Sequence, residues 1–497
     1  MSRGLGDVYK RQDKNNQEVA AMKKETNVKR TGCYIRRNRF ILGAAAGLLL
    51  AAALPFGALG AEKGWQMVDG AERYVDETGG IVTEQWKKRD GKSYYLDENG
   101  EIAADAWIQG TWHVDETGAM EKETWIYEDG SSQMAKGWYY LGPSGKAEKN
   151  DWKKLGDVRY SFDSQGRMRT GWHYENGDIY YLGDENQGYI QIGWRYLESD
   201  GRKRPAEGSV SKALVPGEPG GQWYYFNSSG KARRAEVGSY KESEIDGHRY
   251  YFDANGVMAT GWRCVREQAK PGDGTGISRF VYLGGKDEGM LKSQWLETEE
   301  RPWDSPEWEQ ALSKEARRTK NASETAQTKE DMTRRFYLQH DGTPAFLSAD
   351  AVQIWDAVTK LDGAYYFFDS YGVQQSGLIR MTSGGKTETA WFDPDKDGVL
   401  LTGKAEAVKD KNGKTFAFCA ETSGSLKGTG VNGEKDGFLY YNGLLAAAPK
   451  GTGYASFKIG DRIWTADEKG RIQTEDKMRK AETAPIPAAG WEISYVR

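Results

Sequence analysis

Tryptophan returns along the first half of this chain at an interval near 20 residues. The main positions are 65, 86, 107, 125, 152, 172 and 194, with Trp112 and Trp138 between them. A longer phrase travels with the tryptophan: an aromatic pair, a polar turn with glycine, a short apolar stretch, then often Gly-Trp. It reads SYYLDENGEIAADAW ending at Trp107, RYSFDSQGRMRTGW ending at Trp172 and IYYLGDENQGYIQIGW ending at Trp194, with its cleanest copy, RYYFDANGVMATGW, ending at Trp262. Self-similarity at this period restricts the chain to a repeat architecture, in which each unit buries its faces against its neighbours. Aromatics make up 12% of the chain and hydrophobic residues of all kinds only 38%, so burial has to come from stacked rings.

One copy shows what a unit folds into. Tyr250, Tyr251 and Phe252 have high strand propensity. Asp253-Ala-Asn-Gly256 is turn chemistry, and Val257–Thr260 reads as a short returning strand that Gly261 turns into Trp262. The expectation is a β-hairpin of about 14 residues, marginal alone and stabilised by stacking its rings on the next. The aspartates of DENG, DETG and DANG recur at the turn from copy to copy, which marks them as turn formers rather than catalytic carboxylates. The predicted fold class is all-β: a solenoid of stacked β-hairpin repeats with a short helical insertion near 304–335.

The pattern G-W-x(n)-Y-Y-[FL]-D-x-x-G-x-[MIV]-x-T-G-W resembles the cell-wall-binding repeats of Gram-positive surface proteins, including the choline-binding modules of pneumococcal autolysins and the related glucan-binding repeats. The resemblance covers about 64–295, with looser copies from about 335 to 474. It implies a protein that attaches to the cell envelope, with teichoic acid, peptidoglycan or a glucan as partner. The ligand group, a quaternary ammonium, would sit in a cage of about three rings between neighbouring hairpins, drawn by ring faces at ~0.5–2 kcal/mol each. Carried onto this chain, the best cage uses Trp172, Tyr180 or Tyr181, and Trp194, where successive Gly-Trp hinges flank one YY strand. A second uses Trp138, Tyr139 and Trp152, and a third Trp223, Tyr224 and Trp262. The competing reading of every one of these rings is hydrophobic core.

Some copies depart from the pattern. AADAW, TEQW and KETW replace Thr-Gly-Trp, Trp112-His113 stands where YY is expected, and Tyr160-Ser161 keeps only Phe162 after it. Pockets there are expected to be structural, or to favour a sugar. Residues 201–221 and 266–278 read as inserted loops within a repeat array spanning 61–300. In 301–335, Ser305 and Pro306 open a helical pattern whose thin apolar stripe begins at Trp308, so one or two docked turns followed by a charged segment are expected. Looser hairpins fill 336–480, a separate binding or capping module, and 481–497 is a tail able to cap the last hairpin.

The amino terminus carries an export pattern. From Met22 a basic stretch precedes the apolar FILGAAAGLLLAAALPFGALG, and small residues at Ala58 and Gly60 suit signal peptidase, giving a signal peptide over 22–60. The competing reading is an uncleaved anchor. Residues 1–21 fit neither and read as a non-native leader, so contact with a membrane is expected only in transit. No sorting signal follows at the other end, and the expected attachment is non-covalent: a secreted, wall-associated protein. Beyond residue 60 the net charge is −11, which supplies no basic face for nucleic acid. The four histidines are scattered, and Asp393–Gly398 opens like a calcium loop but has Lys404 where a glutamate ligand belongs. No cofactor, metal or enzyme is expected.

Overall fold

The computed structural model describes residues 62–198, 221–305, 308, 333–409, 413–478, 482–485 and 493–496. The leader, the signal peptide, the loop at 201–220 and most of the 301–335 insertion lie outside these residues. The described chain is built from many small antiparallel hairpin sheets with almost no helix and, among the described residues, no closed barrel. It divides into two compact units, one holding residues up to Leu197 with Tyr224–Arg233, the other Glu198–Trp223 with Arg234–Arg497.

In the first unit, strands Gly64–Val68 and Ala71–Val75 pair with each other, as do Gln85–Arg89 with Lys92–Leu96, Ala106–Ile108 with Trp112–Val114, Thr124–Glu128 with Gly137–Leu141, Trp152–Leu155 with Val158–Ser161, and Trp172–Glu175 with Asp178–Tyr181. The phase of this repeat differs from the expected one. The ladder joins the tryptophan strand to the aromatic-pair strand that follows it, across a tight turn such as Asp90-Gly91 or Asn176-Gly177. Both residues of these turns have positive φ, near 48° and 75° in the first and 50° and 80° in the second. Such turns carry the twist a two-residue hairpin needs. The stretch read as the returning strand makes only an isolated bridge, Phe252 to Met258 in the cleanest copy, and the ladder partner of Tyr250–Phe252 lies before it at Lys241–Ile245.

The recurrent aspartates do form turns. Oδ1 of Asp97, Asp115, Asp163 and Asp253 each accepts the amides two and four residues on, at 2.8–2.9 Å. The turn glycine then packs on the preceding repeat. At Gly118, φ is 81°, and an added Cβ would strike Ile102 Cγ2 and come within 2.9 Å of the Ala103 carbonyl. Left-handed strain and overpacking together predict that Gly118→Ala lowers stability by ~2–4 kcal/mol, readable as a lower urea midpoint.

The second unit continues the hairpins at Lys241–Ile245 with His248–Phe252, Gly261–Cys264 with Phe280–Leu283, and Gln294–Thr298 with Arg334–Leu338. The loop after Cys264 is docked rather than free: Arg266 and Lys270 both pair with Asp341, and Ile277 and Ser278 are buried. Burial opposes ionisation of Asp341, but Lys270 at 2.9 Å and the hydroxyl and amide of Thr343 outweigh it and hold the carboxyl down at about 2. Its folded value lies below the 3.8 of a free aspartate. The stability it contributes is therefore complete above that value and is lost as pH falls toward 2, a dependence that Asp341→Asn should remove from acid-denaturation curves. Trp308 is 3% exposed and packs on Phe280, Trp303 and Tyr371.

Beyond Val358 the sheets widen. Three-, four-, five- and three-stranded sheets follow, the five-stranded one centred on Thr415–Ala420 and Leu444–Leu445. Glu482–Thr483 adds to this region as a parallel edge strand on Tyr454–Ile459, and Ile493–Val496 as another on Gly377–Ser383. Cys264 and Cys419 are not joined in a disulfide. Asp393 accepts the Asp395 amide and pairs with Lys396, and no His, Cys, Asp and Glu cluster fit for a metal occurs among the described residues.

Candidate functional site: the aromatic corners

Strand geometry decides what each ring meets. Adjacent residues of a strand point to opposite faces, and directly opposed residues of a hairpin share one. The tryptophan that opens each first strand therefore stands opposite the second tyrosine of the pair: Trp65 opposite Tyr74, Trp86 opposite Tyr95, Trp125 opposite Tyr140, Trp172 opposite Tyr181. These pairs, with Trp194–Tyr225, Trp262–Tyr282 and Trp295–Tyr337, all meet edge to face, with centroids 5.2–5.6 Å apart and planes at 60–90°. Trp107 and His113 reproduce the corner at 5.3 Å and 71°, so the Trp112-His113 departure keeps the geometry and changes only the ring. All of these tryptophans and tyrosines are half-buried except Trp262.

The first ring of each aromatic pair points the other way and reaches the tryptophan of the preceding hairpin. Tyr94 meets Trp65 at 5.9 Å, Trp112 meets Trp86 at 5.9 Å, Tyr139 meets Trp107 at 5.1 Å, Tyr160 meets Trp125 at 4.9 Å, and Tyr224 meets Trp172 at 4.8 Å. These contacts tie hairpin to hairpin, each worth ~0.5–1.5 kcal/mol beyond the area buried.

The three candidate sets regroup on this frame. Trp172 and Tyr181 form one corner, Trp194 pairs with Tyr225 on the next hairpin, and Tyr180 turns back to Trp152 at 5.1 Å. Trp138 packs on Tyr127 at 5.0 Å, while Tyr139 joins Trp107 and Trp152 joins His173 and Tyr180. Tyr224 belongs to the first unit and backs Trp172, whereas Trp223 and Trp262 belong to the second. Trp223 carries the Lys286 ammonium over its ring, and Trp262 packs between Tyr282 and Phe336. Trp138, Tyr139, Tyr180, Tyr224 and Trp262 are all under 9% exposed and are core, and the half-buried faces of the ten are those of Trp152, Trp172, Tyr181, Trp194 and Trp223.

Sequence reading missed what already sits on these rings. The Arg89 guanidinium lies 4.9 Å from the centroids of both Trp65 and Tyr94, held by an ion pair to Glu72. Arg335 stands 4.2 Å over Trp295, Lys87 4.7 Å over Tyr74, and Arg159 5.1 Å over Trp152, whose indole donates to Glu175. The signal was present as basic residues one and three positions after the tryptophan in QWKKR. Elsewhere a repeat has lost its tryptophan: Glu242 stands opposite Tyr251 and accepts its hydroxyl, and burial, then that carboxylate, pushes the phenol up to about 12.

Fold and site together define an aromatic β-hairpin repeat protein. The family described as putative cell wall binding repeat matches residues 84–102, 220–232 and 244–258 of the chain. Glucosyltransferase-I of Streptococcus downei is 25% identical over 328 residues, 58% of this chain and 18% of that protein, so the chain spans under a fifth of the length of this curated relative. Among solved structures, choline binding protein F from Streptococcus pneumoniae aligns over 75% of this chain and 99% of its own, at 19% identity and a TM-score of 0.35. The modular autolysin LytC from the same organism, solved with a synthetic peptidoglycan ligand, aligns over 71% of this chain and 56% of its own, at 17% identity and a TM-score of 0.30.

Proposed function

We propose that the half-buried Trp–Tyr corners hold quaternary ammonium groups of choline-bearing teichoic acid or a comparable envelope glycan, so that a secreted chain attaches non-covalently to a Gram-positive wall. The observation that supports this most directly is that corners of one geometry recur along the chain and that several already hold the chain's own cations. A site that accepts a guanidinium at 4–5 Å has the quadrupole and the space to accept a trimethylammonium. The contact residues in the first unit are Trp172 with Tyr181, completed by Trp194 of the next hairpin, and Trp152, with buried rings behind them. The role is binding, not catalysis. A second reading, a carbohydrate-binding adhesin for glucans, draws on the Streptococcus downei glucosyltransferase relative.

Titrating intrinsic tryptophan fluorescence with choline and then with soluble glucans separates the two. Saturable quenching by millimolar choline, with elution from walls at the same concentration, supports the first. Retention on a polysaccharide column despite choline supports the second, and clearing of purified walls in a zymogram would overturn a binding role. Arg89→Ala and Arg335→Ala each vacate an occupied corner. Each variant is expected to bind one further choline equivalent at saturation by equilibrium dialysis, while Lys63→Ala, whose ammonium pairs with Glu77, leaves the stoichiometry unchanged.

A further inference from the structure

Three sheets of the second unit converge on a cavity of about 500 Å³ that the aromatic ladder does not use. Gly385 and Thr387 come from one sheet, Asn432, Gly433, Tyr441 and Asn442 from the next, and Ile459, Gly460, Arg462 and Trp464 from the hairpin Tyr454–Ile459 with Arg462–Asp467. The Arg462 guanidinium lies 3.8 Å from the centroid of the Trp464 ring, a stack that fixes the plane of its N–H fork. Asn432 clamps Asn442: its side-chain Oδ1 accepts the Asn442 backbone N–H at 2.8 Å and its Nδ2 donates to the Asn442 side-chain oxygen at 3.2 Å. The clamp leaves the side-chain nitrogen of Asn442, a residue only 7% exposed, with no acceptor among the described residues.

The chemistry of the lining is one-sided. The Asn442 nitrogen, the Tyr441 hydroxyl, the Trp464 indole N–H and the Arg462 guanidinium make no hydrogen bond or ion pair among the described residues, and no carboxylate is among the lining residues. Unpaired N–H and O–H donors around a cation, with no carboxylate in the lining, fit a ligand rich in acceptors and negatively charged. The half-buried faces of Tyr441 and Trp464, and a volume far beyond that of a bare anion, fit a ring that is apolar on its faces and polar at its rim.

We propose that this groove binds an anionic sugar, with the ring against Tyr441 and Trp464 and its carboxylate or phosphate on the Arg462 fork and the Asn442 amide. The site is separate from the Trp–Tyr corners and does not depend on their ligand. The test is isothermal titration of the full chain in saturating choline, with glucuronate, glucose 6-phosphate, glucose and inorganic phosphate as probes. Binding by glucuronate, glucose 6-phosphate or both, at least ~10-fold tighter than glucose and than phosphate alone, is the expected result, and the pattern tells a carboxylate source from a phosphate source. Arg462→Gln, at an exposed position, is expected to weaken that binding at least ~10-fold, and Asn442→Ala to weaken it as well. Equal affinity for glucose, equal affinity for inorganic phosphate, no binding by any probe, or an Arg462→Gln variant indistinguishable from the parent would each overturn the proposal. Choline quenching in the Arg462→Gln variant reports the corners independently, so failure here and failure of the corner reading are distinguishable.

Discussion

Replacing Trp125 by alanine is expected to lower stability by ~3–4 kcal/mol and to make unfolding less cooperative. The indole touches four rings: Tyr160 at 4.9 Å, Tyr140 at 5.2 Å, Phe162 at 5.9 Å and Trp138 at 6.4 Å. Two of these, Tyr160 and Phe162, belong to the following repeat and are under 2% exposed, so the substitution opens a cavity exactly where one hairpin is tied to the next. Truncating a large aromatic costs ~3–5 kcal/mol when fully buried, and the half-exposure of Trp125 brings the estimate toward the lower end. In a chain stabilised by nearest-neighbour interfaces, weakening one interface uncouples the segments on either side. Urea unfolding followed by tryptophan fluorescence should show both a lower midpoint and a smaller slope. Trp65→Ala is the control: among the described residues that ring meets two other rings, Tyr74 and Tyr94, against four for Trp125, and its loss should cost ~1–2 kcal/mol with the slope unchanged. A Trp125→Ala loss below ~1 kcal/mol would mean that the ring contacts do not carry the stacking.

The all-β class, the repeat period and the turn role of the aspartates were readable because each rests on local chemistry. YY and YYF stretches favour strands, and an Asx side chain finds its amides within four residues. The phase of the hairpin was harder to read because each unit holds two turn signals. Asp246-Gly247 and Asp253-Ala-Asn-Gly256 both read as turns, and only pairing shows that the shorter one closes the ladder while the longer one closes a single bridge. The cages show the same limit in another form. Tyr180 and Tyr181 are neighbours in sequence, so pleating sends them to opposite faces, one to Trp152 and the other to Trp172. Grouping rings by proximity along the chain therefore mixes two junctions. The wide sheets after Val358 depend on pairings such as Phe418 with Leu444, which no local pattern announces. The groove around Asn442 depends on three such sheets at once.

The largest effect follows from repetition. A cation over two or three rings gains at most ~3–6 kcal/mol, which leaves a single corner with a dissociation constant near millimolar once binding costs are met. Corners of one geometry recur at Trp86–Tyr95, Trp125–Tyr140 and Trp172–Tyr181, and on the proposed reading they would give a polymer bearing several choline groups several places to bind at once. After the first contact the next is intramolecular, so the apparent affinity for a choline-decorated polymer should exceed that for free choline by ~10²–10⁴. Surface plasmon resonance on immobilised choline polymer, compared with equilibrium dialysis of free choline, measures that ratio. Removing one corner with Trp172→Leu should lower polymer affinity by ~10-fold or more while changing the mean affinity of the remaining choline sites little, because it removes one tether and leaves the other pockets intact. A ratio near unity, or a polymer affinity indifferent to the loss of a corner, would show that the corners do not act together, and would return the rings to a purely structural role.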